Sequence, residues 1–392
     1  MTDAYIVSAL RTAGGRRGGR LAGWHPVDLA ATLIDGLVER SQASPDTIDD
    51  VILGCVGQVG EQAANVARNA VLASSLPESV PGTSVDRQCG SSQQALHFAA
   101  QAVMSGSMDI VIAGGVESMT RVPMGAPLTL ARKAEMGIYM SPGIRDRYPG
   151  TELFSQFEGA EMVAAKYGIE RAALDAFALE SHQRAIRATE TGAFDEEILP
   201  VTVLDPDSGE EVEHRVDEGI RFDATLDSIA GVKLLADNGR ISAATASQIC
   251  DGASGVMVVN EAGLKRLGVE PLARIHHMSV LGHDPVIMLE APLPATQRAL
   301  DRAGMTIDDI DLFEVNEAFA PIPLAWLQYT GADAEKMNVH GGAIALGHPL
   351  GASGTKLMTT LVHALRARGA RYGLQTMCEG GGMANVTIIE RL

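Results

Sequence analysis

Apolar positions along this chain recur with two periods. From Pro26 to Gln42, Val27, Ala30, Ile34, Leu37 and Val38 fall on one face of a 3.6-residue repeat, which predicts a helix. "DDVILGCV" (49–56) and "MDIVIAGGVE" (108–117) are short apolar runs, which predict strands buried on both faces. Between them, "QAANVARNAVLAS" (62–74) and the segment from Ser91 to about Met104 predict helices. Helices alternating with buried strands indicate an α/β sheet covered on both sides.

The far end of the chain repeats this order. "TIDDVILGCV" (47–56) aligns with "TIDDIDLFEV" (306–315). "CGSSQQALHFAAQAVMSG" followed by "MDIVIAGG" parallels "GASGTKLMTTLVHALRARG" followed by "ARYGLQTMCEGGG". Two matches in the same order predict a duplicated α/β domain. About Ser118 to Ile249 differs: two helical patterns ("FEGAEMVAAKYG", "RAALDAFALESHQRAIRATETG"), the acidic turn "DPDSGEEVE" and many loops. It reads as an insertion covering a site.

Composition narrows the function. The 392 residues exceed one ordinary core. Thirty-one Lys+Arg against 49 Asp+Glu give a net charge of −18, and aromatic residues are 4%. That leaves no basic footprint or stacking platform for nucleic acid, and little attraction to anionic membranes. No 18-residue apolar run predicts a membrane span, and the start "MTDAYIVSALRTAGG" carries no secretory pattern. The four cysteines, Cys55, Cys89, Cys250 and Cys378, form no CxxC pair. Reduced cytoplasmic thiols and no metal site are therefore expected.

Four stretches carry candidate chemistry. "GGAIALGHPLGASG" (341–354) surrounds His348 with glycine but lacks the Lys of a phosphate-binding P-loop, so its glycines are read as clearing space around the imidazole. Cys89, in "SVDRQCGSSQQALHFAA", lies just before a predicted helix, where the macrodipole favours a thiolate. Cys378, in "TMCEGGGMAN", ends a predicted strand, and the glycines after it can offer backbone N–H groups to an oxyanion. Asn316, in "EVNEAFA", stands at the C-terminal end of a predicted strand, where open α/β sheets place ligand groups. Cys55 and Cys250 read as core. Two thiols, an imidazole and an amide at equivalent strand ends suit acyl transfer.

These stretches are where the chain resembles the thiolases. "DRQCGSSQQA", "NEAFA", "GGAIALGHPLGASG" and "CEGGGMA" match that family's active-site blocks in order and spacing, over the whole length. The resemblance implies two α/β halves in a five-layered α-β-α-β-α core with an inserted loop domain. The corresponding boundaries are 1–118 with 250–270, 119–249 and 271–392. It also implies a homodimer or homotetramer, with coenzyme A and acyl-CoA as substrates and no tightly bound cofactor.

By resemblance, Cys89 carries the acyl group as a thioester, His348 takes its proton, and Cys378 moves the second proton. Asn316 holds a water that forms one oxyanion hole with His348, and the N–H groups of Cys89 and Gly380 form the other. Near-neutral thiol and imidazole pKa values would support this exchange. Arg221, Ser228 and Ser247 match CoA-contacting positions, and Gln156, Phe157 and Phe319 would line the acyl pocket.

Two departures stand out. Thr245 in "SAATAS" replaces a family asparagine. In "FSQFEGAEM", Gln156 and Phe157 stand where acetoacetyl-CoA-synthesising members carry His-Met. The pattern is similar to actinobacterial thiolases of fatty-acid or steroid breakdown and points to a degradative 3-ketoacyl-CoA thiolase. The alternatives are a biosynthetic acetyl-CoA acetyltransferase, a decarboxylating condensing enzyme, and a non-catalytic lipid carrier on this scaffold.

Overall fold

The computed structural model describes residues 2–205 and 208–392, so the acidic turn at 205–213 falls partly outside the described residues. The first half comprises β1 (Tyr5–Arg11), β2 (Gly15–Arg16), α1 (Pro26–Ser41), β3 (Asp50–Gly54), α2 (Val66–Ala73), β4 (Gly82–Val85), α3 (Ser91–Met104) and β5 (Ile110–Ser118). An excursion follows with α4 (Ala126–Lys133), α5 (Pro142–Arg147), α6 (Gln156–Lys166), α7 (Arg171–Glu190), the hairpin β6 (Val201–Leu204) and β7 (Glu211–His214), and α8 (Leu226–Ala230). The chain then returns through β8 (Cys250–Val259) and α9 (Glu261–Leu267). The second half comprises β9 (Ala273–Gly282), α10 (Pro292–Ala303), β10 (Leu312–Val315), α11 (Pro321–Thr330), α12 (Ala343–Leu346), α13 (Ser353–Arg368), β11 (Tyr372–Glu379) and β12 (Met383–Glu390).

The main strands run β10-β11-β12-β9-β1-β8-β5-β3-β4. The halves meet where β9 pairs with β1 at only two positions, Tyr5 with Arg274 and Ile6 with Ala273. On either side of that seam the order repeats. β3 lies parallel to β5 and β10 parallel to β11, and each parallel pair continues into an antiparallel neighbour, β8 or β12. The two sequence repeats are these equivalent strands and the helices α3 and α13.

Strand alternation sorts the side chains into layers. Ile110 and Ile112 of β5 face outward onto α1 and α2, while Val111 and Ala113 face inward onto α3 and α13. Across the middle layer, Leu312 and Ile389 of the second half join the same apolar cluster. α10 and α11 cover that half's outer face, with Trp326 fully buried against Phe313. The result is five layers, with α3 and α13 sandwiched side by side at the centre.

One predicted helix is shorter than its pattern. Residues 62–74 begin their helix only at Val66, because Ala64 and Asn65 adopt left-handed backbone and the Asn65 side chain caps the Arg68 N–H. α3 occupies the predicted span.

Candidate active site

Because α3 and α13 are equivalent helices packed together, their N-termini lie together at one end of the middle layer. Cys89 precedes the first and His348 precedes the second. The glycines around His348 make that approach possible. A Cβ on Gly354 would overlap Gln93, and one on Gly351 would lie 2.6 Å from the Cys55 Cα. The Thr355 N–H donates to Ser92 Oγ at 3.0 Å. These glycines therefore serve backbone-to-backbone packing, rather than only space around the imidazole.

Cys89 is projected by a strained turn. Gln88 has φ 50°, a left-handed conformation uncommon outside glycine, held by its N–H to Asp86 Oδ1 at 2.8 Å. The Cys89 sulfur faces the backbone N–H groups of Cys89 itself and Gly380, the two expected oxyanion donors. Cys378 and Cys89 lie close enough for a charge on Cys89 to raise the Cys378 thiol. The three-residue turn Gly380–Gly382 joins β11 to β12, with positive φ at Gly381 and Gly382.

His348 is buried. Its Nδ1 is hydrogen-bonded to Ser353 Oγ, and that hydroxyl donates to the Pro349 carbonyl at 2.9 Å. The single hydroxyl proton is thus used, so Nδ1 is the donor and Nε2 keeps the lone pair. Nε2 has no hydrogen-bond partner, and neither does the side-chain amide of buried Asn316. A bridge of backbone links their loops: His348 N–H donates to the Gln248 carbonyl at 3.1 Å, and Ser247 N–H to the Ala318 carbonyl at 2.9 Å.

The electrostatics overturn two expectations. The Cys89 thiol is pushed up to about 12, first by burial and then by Glu379, against the pull of the two N–H groups. Burial outweighs the helix terminus because it acts on the whole charge, whereas the terminus offers a partial one. His348 is pushed down to about 3, by burial and then by Lys356. At neutral pH the site holds a thiol and a neutral imidazole, not a thiolate–imidazolium pair. Cys378 is raised well above an ordinary thiol, mainly by burial.

A cavity of about 710 Å³ opens onto Cys89 and Gly380. Its walls include Met119, Met124, Leu128, Phe154, Phe157 and Met288, mostly from the excursion and α6. Gln156 and Phe157 line it. Phe319 does not; it is buried behind Phe157 in an edge-to-face contact, with centroids 5.5 Å apart. Phe157 also borders a second cavity of about 640 Å³ with Met162, Leu235 and Ile241. Arg221, Ser228 and Ser247 line neither cavity. Arg221, on the segment leading into α8, and Ser228, within α8, are exposed, and Ser247 is half-buried.

Sequence reasoning passed over two supporting residues. Ser353 fixes the His348 tautomer from five positions on. Glu117 closes the apolar run of β5 and accepts from the N–H groups of Val56, Gly57 and Gly351. A carboxylate ending a buried strand is a visible signal, since such a charge needs partners.

Comparison with known proteins agrees with this geometry. Residues 4–262 match the thiolase N-terminal domain, and 269–391 match the thiolase C-terminal domain. The chain is 51% identical to the steroid 3-ketoacyl-CoA thiolase FadA6 of Mycobacterium tuberculosis, over all of this chain and 95% of that one. It is 42% identical to the acetyl-CoA acetyltransferase of Cupriavidus necator, over the full length of both. The crystal structure of Bacillus anthracis acetyl-CoA acetyltransferase superposes with a TM-score of 0.91 at 36% identity, covering 100% of this chain and 99% of the other. With the duplicated fold, the paired cysteines and both domain matches in place, the chain belongs to the thiolase family.

Proposed function

We propose that this protein is a 3-ketoacyl-CoA thiolase that splits a 3-ketoacyl-CoA with coenzyme A into acetyl-CoA and a shortened acyl-CoA. Cys89 Sγ attacks the C3 carbonyl as His348 Nε2 takes its proton. The C2–C3 bond breaks, and the Cys378 thiol protonates the departing acetyl-CoA enolate. A coenzyme A thiol then gives its proton to Cys378 and attacks the thioester, and His348 returns the first proton to Cys89. The observation that carries this reading is the Cys89 sulfur facing two backbone N–H groups beside Cys378. Asn316, buried with a free amide, suits the second oxyanion position with His348.

A degradative role with a bulky apolar acyl group, fatty-acyl or steroid-derived, is favoured by the cavity. Its volume of about 710 Å³ far exceeds what an acetyl group needs, and its walls are mainly apolar. Exposed Arg221 and Ser228, with Ser247 beside the Asn316 loop, suit the anionic and pantetheine parts of coenzyme A. β4 ends the sheet with one side unpaired, a suitable edge for a second copy in a homodimer or homotetramer.

The test is intact-mass analysis after acetyl-CoA treatment, combined with a thiolysis panel from acetoacetyl-CoA to steroid-derived 3-ketoacyl-CoA. The wild type is expected to gain one acetyl group and Cys89→Ala none. An adduct persisting in Cys89→Ala refutes the nucleophile. A strong preference for acetoacetyl-CoA refutes the degradative role.

A further inference from the structure

We infer that Glu379 is a positioning residue for the nucleophile, and that its buried carboxyl leaves Cys89 competent for acylation only while it keeps its proton. The inference rests on Cys89 being the acylated residue.

Glu379 follows Cys378 on β11, so its side chain leaves the opposite face of the strand and enters the middle layer against α3. There it lies on the backbone of Gly90, where a Cβ would overlap the carboxyl. Gly90 is the immediate neighbour of Cys89. Both carboxyl oxygens are buried and neither has a hydrogen-bond partner. A buried carboxylate in that state is costly, and the neutral acid is favoured.

The charged and titratable groups facing it are few. Arg87, from the loop before α3, draws it toward ionisation, although the Arg87 Nε is itself buried without a hydrogen-bond partner. The Asn385 N–H on β12 acts in the same direction. Cys89 and Cys378 are the thiols it faces, and Glu117 adds a second negative charge toward Cys89. Burial outweighs Arg87, and the carboxyl titrates near 8. Below that pH the group is neutral. Above it, an anion lies beside both thiols and opposes any negative charge that develops on Cys89. It opposes equally an oxyanion held at the Gly380 N–H.

The experiment is single-turnover acetylation by acetyl-CoA, followed by intact mass from pH 6 to 10, for wild type, E379Q and R87M. The wild-type rate is expected to fall about tenfold or more above pH 8, the scale of a unit charge one residue away in a partly screened interior. E379Q, which mimics the neutral acid, should lose that descending limb. R87M removes the opposing cation and should move the limb to higher pH. Loss of packing alone would slow all pH values alike. The inference is overturned if the wild type shows no limb, if E379Q keeps it, or if R87M leaves it in place or moves it lower. Should E379Q not fold, the wild-type and R87M profiles decide. Absence of any acetyl adduct on wild-type Cys89 would overturn the thiolase reading itself. Normal acetylation with an unchanged profile overturns this inference alone.

Discussion

Glu117→Gln tests how the two halves hold the active-site loop. Glu117 Oε2 accepts from Val56 N at 2.9 Å and Gly351 N at 2.8 Å, and Oε1 from Gly57 N at 3.0 Å and Gln62 Nε2 at 2.7 Å. All four of these nitrogens are donors, and the Cys55 thiol adds a weaker donor at 3.9 Å from Oε1. A glutamine of the same shape turns one oxygen into an NH₂ group, so two buried donors lose their acceptor. At roughly 1–3 kcal/mol for each donor left unpaired, the cost is about 2–6 kcal/mol. For a chain of this length that lowers Tm by roughly 2–7 °C. If Gly351 is among the released groups, the turn carrying His348 three residues earlier loses its anchor to the first half. A displacement near 1 Å there slows acetylation by up to about a hundredfold. Removing the Glu117 charge would by itself ease thiolate formation at Cys89, so slower acetylation isolates the positional effect. Calorimetry and single-turnover acetylation read the two consequences. A Tm within about 1 °C of wild type, with an unchanged acetylation rate, would show that these four bonds do not hold the loop.

Cys378→Ser should still form acetyl-Cys89 but lose condensation, because a hydroxyl is too weak an acid to exchange the second proton; full condensation activity would remove Cys378 from that role. Phe157→Ala should join the two cavities that this ring borders, raising kcat/KM for bulky over short 3-ketoacyl-CoA substrates in the thiolysis panel. An unchanged ratio would show that Phe157 does not limit the acyl group. His97 is pushed down to about 3 by burial, then by Arg87 and His277, while its Nε2 meets Thr387 Oγ1 at 2.8 Å. Its folded pKa lies below its unfolded one, so its contribution is complete above pH 6.5. It is lost as pH falls from 6.5 toward 3, by about 1.4 kcal/mol per pH unit. His97→Gln should flatten that loss in urea denaturation at pH 7 and 5, and an unaltered slope would count against the burial argument.

What the sequence determined was local in origin. Periodicity placed α1, α3, β3 and β5, because a helix or strand buries one stripe or face and its pattern shows which. The repeated segments disclosed the duplication, since β3 and β10 use the same turn and apolar run. The types of the candidate reacting groups were legible in the four glycine-rich or strand-end stretches. Tertiary structure decided how those groups behave. The dipole argument for Cys89 used only its own helix, whereas its thiol is governed by desolvation and by Glu379, a residue 290 positions away. The glycines near His348 were visible, but not the backbones of Gly54, Cys55 and Gln93 that they let in. Glu117 and Phe157 acquired their roles from partners distant in sequence, and Ser353 acquired its role from the turn that folds it back onto His348. Burial and charge proximity belong to the packed layers, and no window of the chain contains them.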